Sequence, residues 1–248
     1  MNETPLIYSA FIIAGLVFGS FLNVLIIRIP KNENIAFPGS HCVKCEKPLK
    51  WWHNIPVFSW LFLKGKCYYC KEPISIQYPL VEAATAAIFF ISALKTETLY
   101  EALITALVFS LLLALSIIDF RYKEVPDSLN LTALTLSIFS SSDFVTNFQN
   151  ALLFAGAFSL LRFYISYALK KEAMGEADIM IAATIGATVG INLGLLTIFL
   201  SAVLALIAFA AVAKRDMEMP YIPFLAAALF IVFVFRDFFL SLLERIYG

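Results

Sequence analysis

Long apolar runs, separated by short polar stretches, set the pattern of this chain. Since about 20 apolar residues span a bilayer, the runs predict helices near 5–29, 79–94, 101–119, 128–141, 150–169, 178–192, 193–213 and 221–242. The fold expected is an all-α polytopic membrane protein with about eight transmembrane helices. Two segments, 128–141 and 178–192, are short for a perpendicular crossing. They either begin inside the neighbouring loops or sit where the bilayer is thinned. The break between the sixth and seventh, at GINLG (190–194), is the least marked; without it seven helices would put the C-terminus on the other side. Only 30–78 is a polar insert of domain size, and no internal repeat is read.

Composition agrees. The 248 residues are 61% hydrophobic and 15% charged, with mean hydropathy +0.85, against about 45–50% and about 25% in soluble domains. A formal net charge of +0 argues against a nucleic-acid partner, which would favour a basic surface. The opening MNETPL lacks the positive stretch of a signal peptide, so the first apolar segment is expected to stay in place. With eight spans and the N-terminus outside, fourteen Lys and Arg gather on one face, among them Arg28, Lys44, Arg121, Lys170, Lys171, Lys214 and Arg215. Only Lys95, Arg236 and Arg245 fall on the other, with Arg162 left inside the fifth span. Basic residues stay cytoplasmic, so the 30–78 loop is read as cytoplasmic.

That loop holds all four cysteines. HCVKC (41–45) and CYYC (67–70) give two C-x2-C pairs with 21 residues between them, one more than the usual four-Cys zinc spacing. Two residues between thiolates let both reach one tetrahedral ion, and Cys42, Cys45, Cys67 and Cys70 would close a structural site. Two disulfides are the competing reading, disfavoured in a reducing cytoplasm. His41 and His53 are possible ligand substitutes, read instead as ordinary loop residues. Between the pairs WWHNIPVFSWLF (51–62) is aromatic enough for a mini-core around the metal, a surface on lipid headgroups, or both.

The remaining chemistry lies in acids bordering apolar runs. Asp119 ends the third segment and Asp178 opens the sixth, where MGEADIMIA (174–182) begins. Such acids are candidates for function. If the two meet at one depth, like charges cannot both ionise freely, and the pair holds one proton near neutrality, as an aspartic protease requires. The bland alternative is a helix cap or an ion pair, with Arg121 two residues from Asp119. Asp127, after Pro126 and before a helical run, reads as an N-cap. Glu176 reads as a solvated turn residue that could touch substrate, and Glu82 as a cap-region acid or a site residue.

Together these pieces resemble the bacterial prepilin peptidases, the type IV leader peptidase family of intramembrane aspartic proteases. GSFLNVLIIRIP (19–30) is similar to the family's opening motif; NIPVFSWLFLKGKC (54–67) and PISIQYPLVE (73–82), with the Cys pairs, are similar to its cytoplasmic loop. The stretch from Asp119 to Asp127 resembles the first aspartate motif, and GEAD (175–178) the second, usually G-x-G-D. Ala177 stands where the second Gly is usual, and Met180 where Lys is common. The resemblance implies a catalytic pair of Asp119 and Asp178, with Gly175, Glu176 and Asp127 supporting the turn and the substrate. It implies removal of a short basic leader from type IV prepilins or pseudopilins at the cytoplasmic face of the bacterial inner membrane. It also implies N-methylation of the new N-terminus with S-adenosylmethionine, for which no nucleotide-binding motif is visible. The chain would then divide into a first transmembrane helix (1–29), a cytoplasmic four-cysteine zinc-binding loop (30–78) and a transmembrane peptidase core (79–248). Expected partners are the precursors and membrane lipid. Two other classes are weighed: an inactive scaffold of a pilus or secretion machine, and an Asp-relay transporter, which predicts midplane acids and repeated halves.

Overall fold

The computed structural model describes residues 4–170, 175–212 and 219–247. Lys171, Lys214 and Arg215, counted above for orientation, and Met174 lie outside them. The chain divides into two compact units, 1–96 and 97–248.

In the first unit α1 (Thr4–Arg28) runs beside α3 (Gln77–Lys95). Glycine sets their spacing: a Cβ on Gly15 would stand 2.7 Å from the Ala86 Cα, and one on Gly19 2.7 Å from the Glu82 Cα. Small residues let backbones approach in lipid, where dispersion rather than the hydrophobic effect joins helices. Polar ties reinforce the contact. Asn23 donates to the carbonyls of Gly19 and Tyr78, each at 3.2 Å, and Gln77 donates to Asn23 at 3.3 Å. Between these helices the loop carries only short helical turns, at Ile29–Lys31, Trp51–Asn54 and in α2 (Phe58–Phe62). Arg28 anchors its start by donating to the carbonyls of Asn34, Ile35 and Pro38.

The second unit contains α4 (Leu99–Tyr122), α5 (Asp127–Ile138), α6 (Phe144–Leu169), α7 (Glu176–Val212), α8 (Ile222–Val234) and α9 (Arg236–Tyr247). Helix starts follow their caps: Thr98 accepts from the Glu101 N–H and Asp143 from the Thr146 N–H. Against α4 pack α5 and α8, and α7 lies against α5, α6 and α8. Phe154 of α6 fills the notches left by Gly186 and Gly194 of α7, where a Cβ would come within 2.6 and 2.5 Å of its ring. The outward Leu and Phe of α6, such as Leu160 and Phe163, face where lipid would be.

All eight predicted apolar segments are helical among the described residues, which hold only two isolated β-bridges. Among the described residues five helices are long and apolar enough to cross a membrane, and six if α8 with α9 forms one span. The count differs from eight for two physical reasons. Helix α5 has only 12 residues, and the sixth and seventh segments join as α7. That helix is broken at Gly190 (φ 76°, ψ −174°), inside the predicted GINLG break. A third difference concerns the last segment: the axes of α8 and α9 differ by 82° at Phe235, so 221–242 is not one straight helix. Asp127 departs from its expected role. Pro126 holds the N-cap position, α5 begins at Asp127, and no side-chain cap bond forms; the acid is left in the first turn, where it suits the helix dipole.

Candidate active site

Asp119 sits in the last turn of α4, which ends at a left-handed Lys123 whose N–H returns to the Asp119 carbonyl at 2.9 Å. Its side chain is buried and its Oδ2 accepts from the Ile222 N–H at 3.2 Å, at the first turn of α8. Asp178 stands in the first turn of α7, half-buried, its Oδ2 accepting from the Gly175 N–H at 3.2 Å. The two carboxylates lie within electrostatic reach of each other. Each therefore makes the cap-like bond of the bland reading, while the two acids, carried by separate helices, lie near enough to feel each other's charge. A backbone N–H on one oxygen fixes each carboxyl in place, as proton transfer requires.

The turn before Asp178 explains Ala177. Glu176 opens α7, so residue 177 is helical, and neither Gly175 nor Ala177 takes a positive φ. Alanine is well suited there. A Cβ at Gly175 would stand 3.4 Å from Asp178 Oδ2, an ordinary contact. Glu176 is exposed and pairs with Arg162 at 3.1 Å, which accounts for the arginine placed inside the fifth span. Ser159, Arg162, Phe163, Tyr167 and Ile179 border a cleft of about 480 Å³ beside this turn.

One residue was missed by sequence reasoning, and one left open there finds its role. Asn130 of α5 is fully buried, donates to the Ala177 carbonyl at 3.1 Å, and leaves Oδ1 without a partner among the described residues. An unmatched buried acceptor costs about 1–3 kcal/mol. Glu82, left open above, is buried in α3 and accepts from the Val57 N–H at 2.6 Å. Val57 has φ 61° and ψ −52°, and the Phe58 N–H reaches the Pro56 carbonyl at 2.6 Å. That is a γ-turn of the positive-φ kind, rare and strained, and more so for a β-branched residue.

The four cysteines of the loop are free thiols, and their sulfurs lie within 4.8 Å of one another. Cys42 Sγ and Cys70 Sγ are 3.8 Å apart, about the separation that four Zn–S bonds of about 2.3 Å impose on a tetrahedron. The disulfide reading is not the arrangement found. Two equivalent knuckles present the thiols. The N–H groups of Cys42 and Cys67 bond to Lys47 and Glu72 carbonyls, those of Glu46 and Lys71 return to Cys42 and Cys67, and both Glu46 and Lys71 are left-handed. The sequence did carry this repeat, as CVKCEKP and CYYCKEP, and it corrects the reading that no repeat exists. Hydrogen bonds from the backbone of Cys70, outweighing burial, draw the Cys67 thiol down to about 7. The Glu72 N–H pulls on Cys70, but burial and the thiols of Cys67, Cys42 and Cys45 push it up to about 11. Such a cluster suits a cation that replaces the protons. His53 is no ligand: Trp52, Tyr68 and Tyr69 surround its ring, and its Nδ1 accepts from the Lys50 N–H.

Comparison with known proteins follows the same division. Residues 13–96 match the family described as the bacterial peptidase A24 N-terminal domain, and 106–211 match the type IV leader peptidase family. A prepilin leader peptidase/N-methyltransferase of Klebsiella pneumoniae is 36% identical over 76% of this chain and 88% of its own length. The chain belongs to the type IV leader peptidase family. A prepilin leader peptidase/N-methyltransferase of Xanthomonas campestris is 34% identical over 88% of both chains, and one of Neisseria gonorrhoeae 33% over 79% of both. No solved structure matches the fold of this family member. The family match covers the helices that bear both aspartates, and the helical bundle makes the protein a multi-pass membrane protein.

Proposed function

We propose that this chain is a membrane-embedded aspartic endopeptidase that removes the short basic leader of type IV prepilins or pseudopilins. The observation that carries the mechanism is the approach of Asp119 and Asp178 from two helices, each held by a backbone N–H. One carboxylate takes a proton from a water whose oxygen attacks the scissile carbonyl carbon. The other carboxyl, still protonated, donates to the carbonyl oxygen. The amine then leaves with a proton as the tetrahedral centre collapses, and the pair is restored.

Gly175, Glu176 and Asp127 support this site: Gly175 by holding Asp178, Glu176 by pairing with Arg162, Asp127 by its place in the first turn of α5. The cleft beside Arg162 is where the apolar part of a precursor would lie, with its leader at the cytoplasmic face of the inner membrane. The basic loop residues support that orientation, and the lipid around the helices is the other partner; nothing in the charge suits nucleic acid. The two cysteine knuckles would hold zinc as a structural ion that ties the two ends of the loop together. The division into 1–29, 30–78 and 79–248 is kept as one of roles, beside the packing units.

The names of those relatives add an N-methyltransferase activity, which in this chain would methylate the new N-terminus with S-adenosylmethionine. A cavity of about 480 Å³ in the first unit, lined by Glu82, Tyr78, Trp60 and His53, supports binding of such a donor there. Its carboxylate and aromatic walls suit a sulfonium cation.

The test is cleavage of a synthetic precursor in detergent or liposomes by wild type, Asp119→Asn and Asp178→Asn. Wild type releases the leader and both variants do not; cleavage by the variants would remove the pair from the mechanism. Labelled S-adenosylmethionine, added after cleavage, reads the second step.

A further inference from the structure

Helix α5 follows α4 after the four residues 123–126, so whatever fixes α5 also fixes the end of the helix that bears Asp119. One side chain of α5 reaches the start of α7. Asn130, fully buried, donates from Nδ2 to the carbonyl of Ala177, the residue before Asp178. The reverse placement of the amide would set oxygen against oxygen, so this bond settles which end faces Ala177. Asn130 Oδ1 is meanwhile buried with no partner among the described residues. A leucine shares the branched outline of asparagine and would leave no unmatched Oδ1, losing only the one bond to the Ala177 carbonyl. Packing alone therefore does not account for an amide here.

We propose that Asn130 is a positioning residue for leader cleavage: its bond to Ala177 sets the first turn of α7 against the α4–α5 pair, and with it the separation of Asp119 and Asp178. The inference rests on those two aspartates being the catalytic pair. The amide acts through the backbone and touches no reacting atom. Its loss lets the first turn of α7 shift, and the two carboxyls then no longer straddle one water and one carbonyl. A misplacement near 1 Å is enough to lose about 100-fold in rate.

The experiment uses the full chain in liposomes with a synthetic precursor, and compares Asn130→Leu, Asn130→Ala and Asn130→Thr with wild type. Asn130→Leu is expected to unfold at or above the wild-type temperature, keep KM within twofold and lose at least tenfold in kcat. Asn130→Thr, which retains a hydroxyl donor, is expected to exceed Asn130→Ala in kcat at least threefold. A kcat for Asn130→Leu within twofold of wild type overturns the proposal. So does a parallel loss of thermal stability and activity in all three, which makes Asn130 a packing residue. Where the leucine variant does not fold, equal kcat values for the alanine and threonine variants overturn it. Cleavage by Asp119→Asn and Asp178→Asn overturns the pair and the positioning role together; inactivity of those two with unchanged kcat in Asn130→Leu overturns only the latter.

Discussion

Glu82 holds Val57 in a backbone conformation that valine does not adopt unaided, through a bond of 2.6 Å to its N–H. The pair joins the middle of the loop to a membrane helix within the first unit. Strain of this kind costs about 1–3 kcal/mol and persists only where its surroundings enforce it.

Removing the enforcer should release the turn. Glu82→Ala leaves the Val57 N–H unpaired and is expected to lower stability by about 1–3 kcal/mol. Proteolysis of the loop near residues 54–60 measures it, as that stretch becomes cleavable before the helices do. Val57→Gly, which takes positive φ without strain, is expected to stay within about 1 kcal/mol of wild type, strain relief offsetting the lost side chain.

The contact of α1 with α3 is equally specific. Gly19→Val sets new atoms against the Glu82 backbone, where the first of them already falls at 2.7 Å. Overpacking of this kind costs about 1–3 kcal/mol or more, and the helices can escape it only by separating. A lowered melting temperature in detergent measures the loss. Gly39→Val, at a glycine with nothing within 4 Å, is the control and should melt like wild type.

Metal loading of the knuckles should follow thiol protonation. Each thiolate must shed its proton to bind, so uptake weakens as pH falls and protons are released on loading. With Cys67 at about 7 and Cys70 at about 11, the ion displaces a proton from Cys70 throughout the physiological range. Elemental analysis should find one zinc per chain at pH 8 and less at pH 6. Cys67→Ser, at the buried thiol, should lose more metal than Cys70→Ser at the exposed one.

The Arg162–Glu176 pair is partly exposed, and its coupling should be small. A double-mutant cycle with Arg162→Gln and Glu176→Gln is expected to give at most about 1 kcal/mol in stability. Its larger effect should fall on KM for precursor, since Arg162 lines the cleft beside Asp178 and Glu176 holds Arg162. A KM unchanged in both single variants would separate the cleft from substrate binding.

The aspartates and cysteines were legible because their chemistry is out of place locally: acids at the ends of apolar runs, soft ligands at a two-residue spacing. The break at Gly190 was legible as a pair of glycines flanking INL. Other features depend on contacts that no local pattern encodes. Nothing near Asn130 announces Ala177, 47 residues away, and nothing near Glu82 announces Val57. The bend at Phe235 was hidden because α9 has Arg236 at its start yet continues with Phe and Leu, an amphipathic pattern that reads as part of a span. The knuckle repeat was visible in the letters, but only when the residues after each cysteine pair are compared along with the spacing.

Gly190 also decides the mechanics of the longest helix. An unbroken helix of 37 residues would be a rod of about 55 Å at about 1.5 Å per residue, far beyond the hydrocarbon thickness of about 30 Å. With the interruption, the part bearing Asp178 is a stub of about 20 Å that cannot cross on its own. Its far end lies beside Asn150, whose amide nitrogen is 3.8 Å from where a Gly190 side chain would begin. Gly190 therefore lets the two lengths, 176–189 and 191–212, follow separate axes, so the direction of the aspartate-bearing part is set apart from the part that completes the helix.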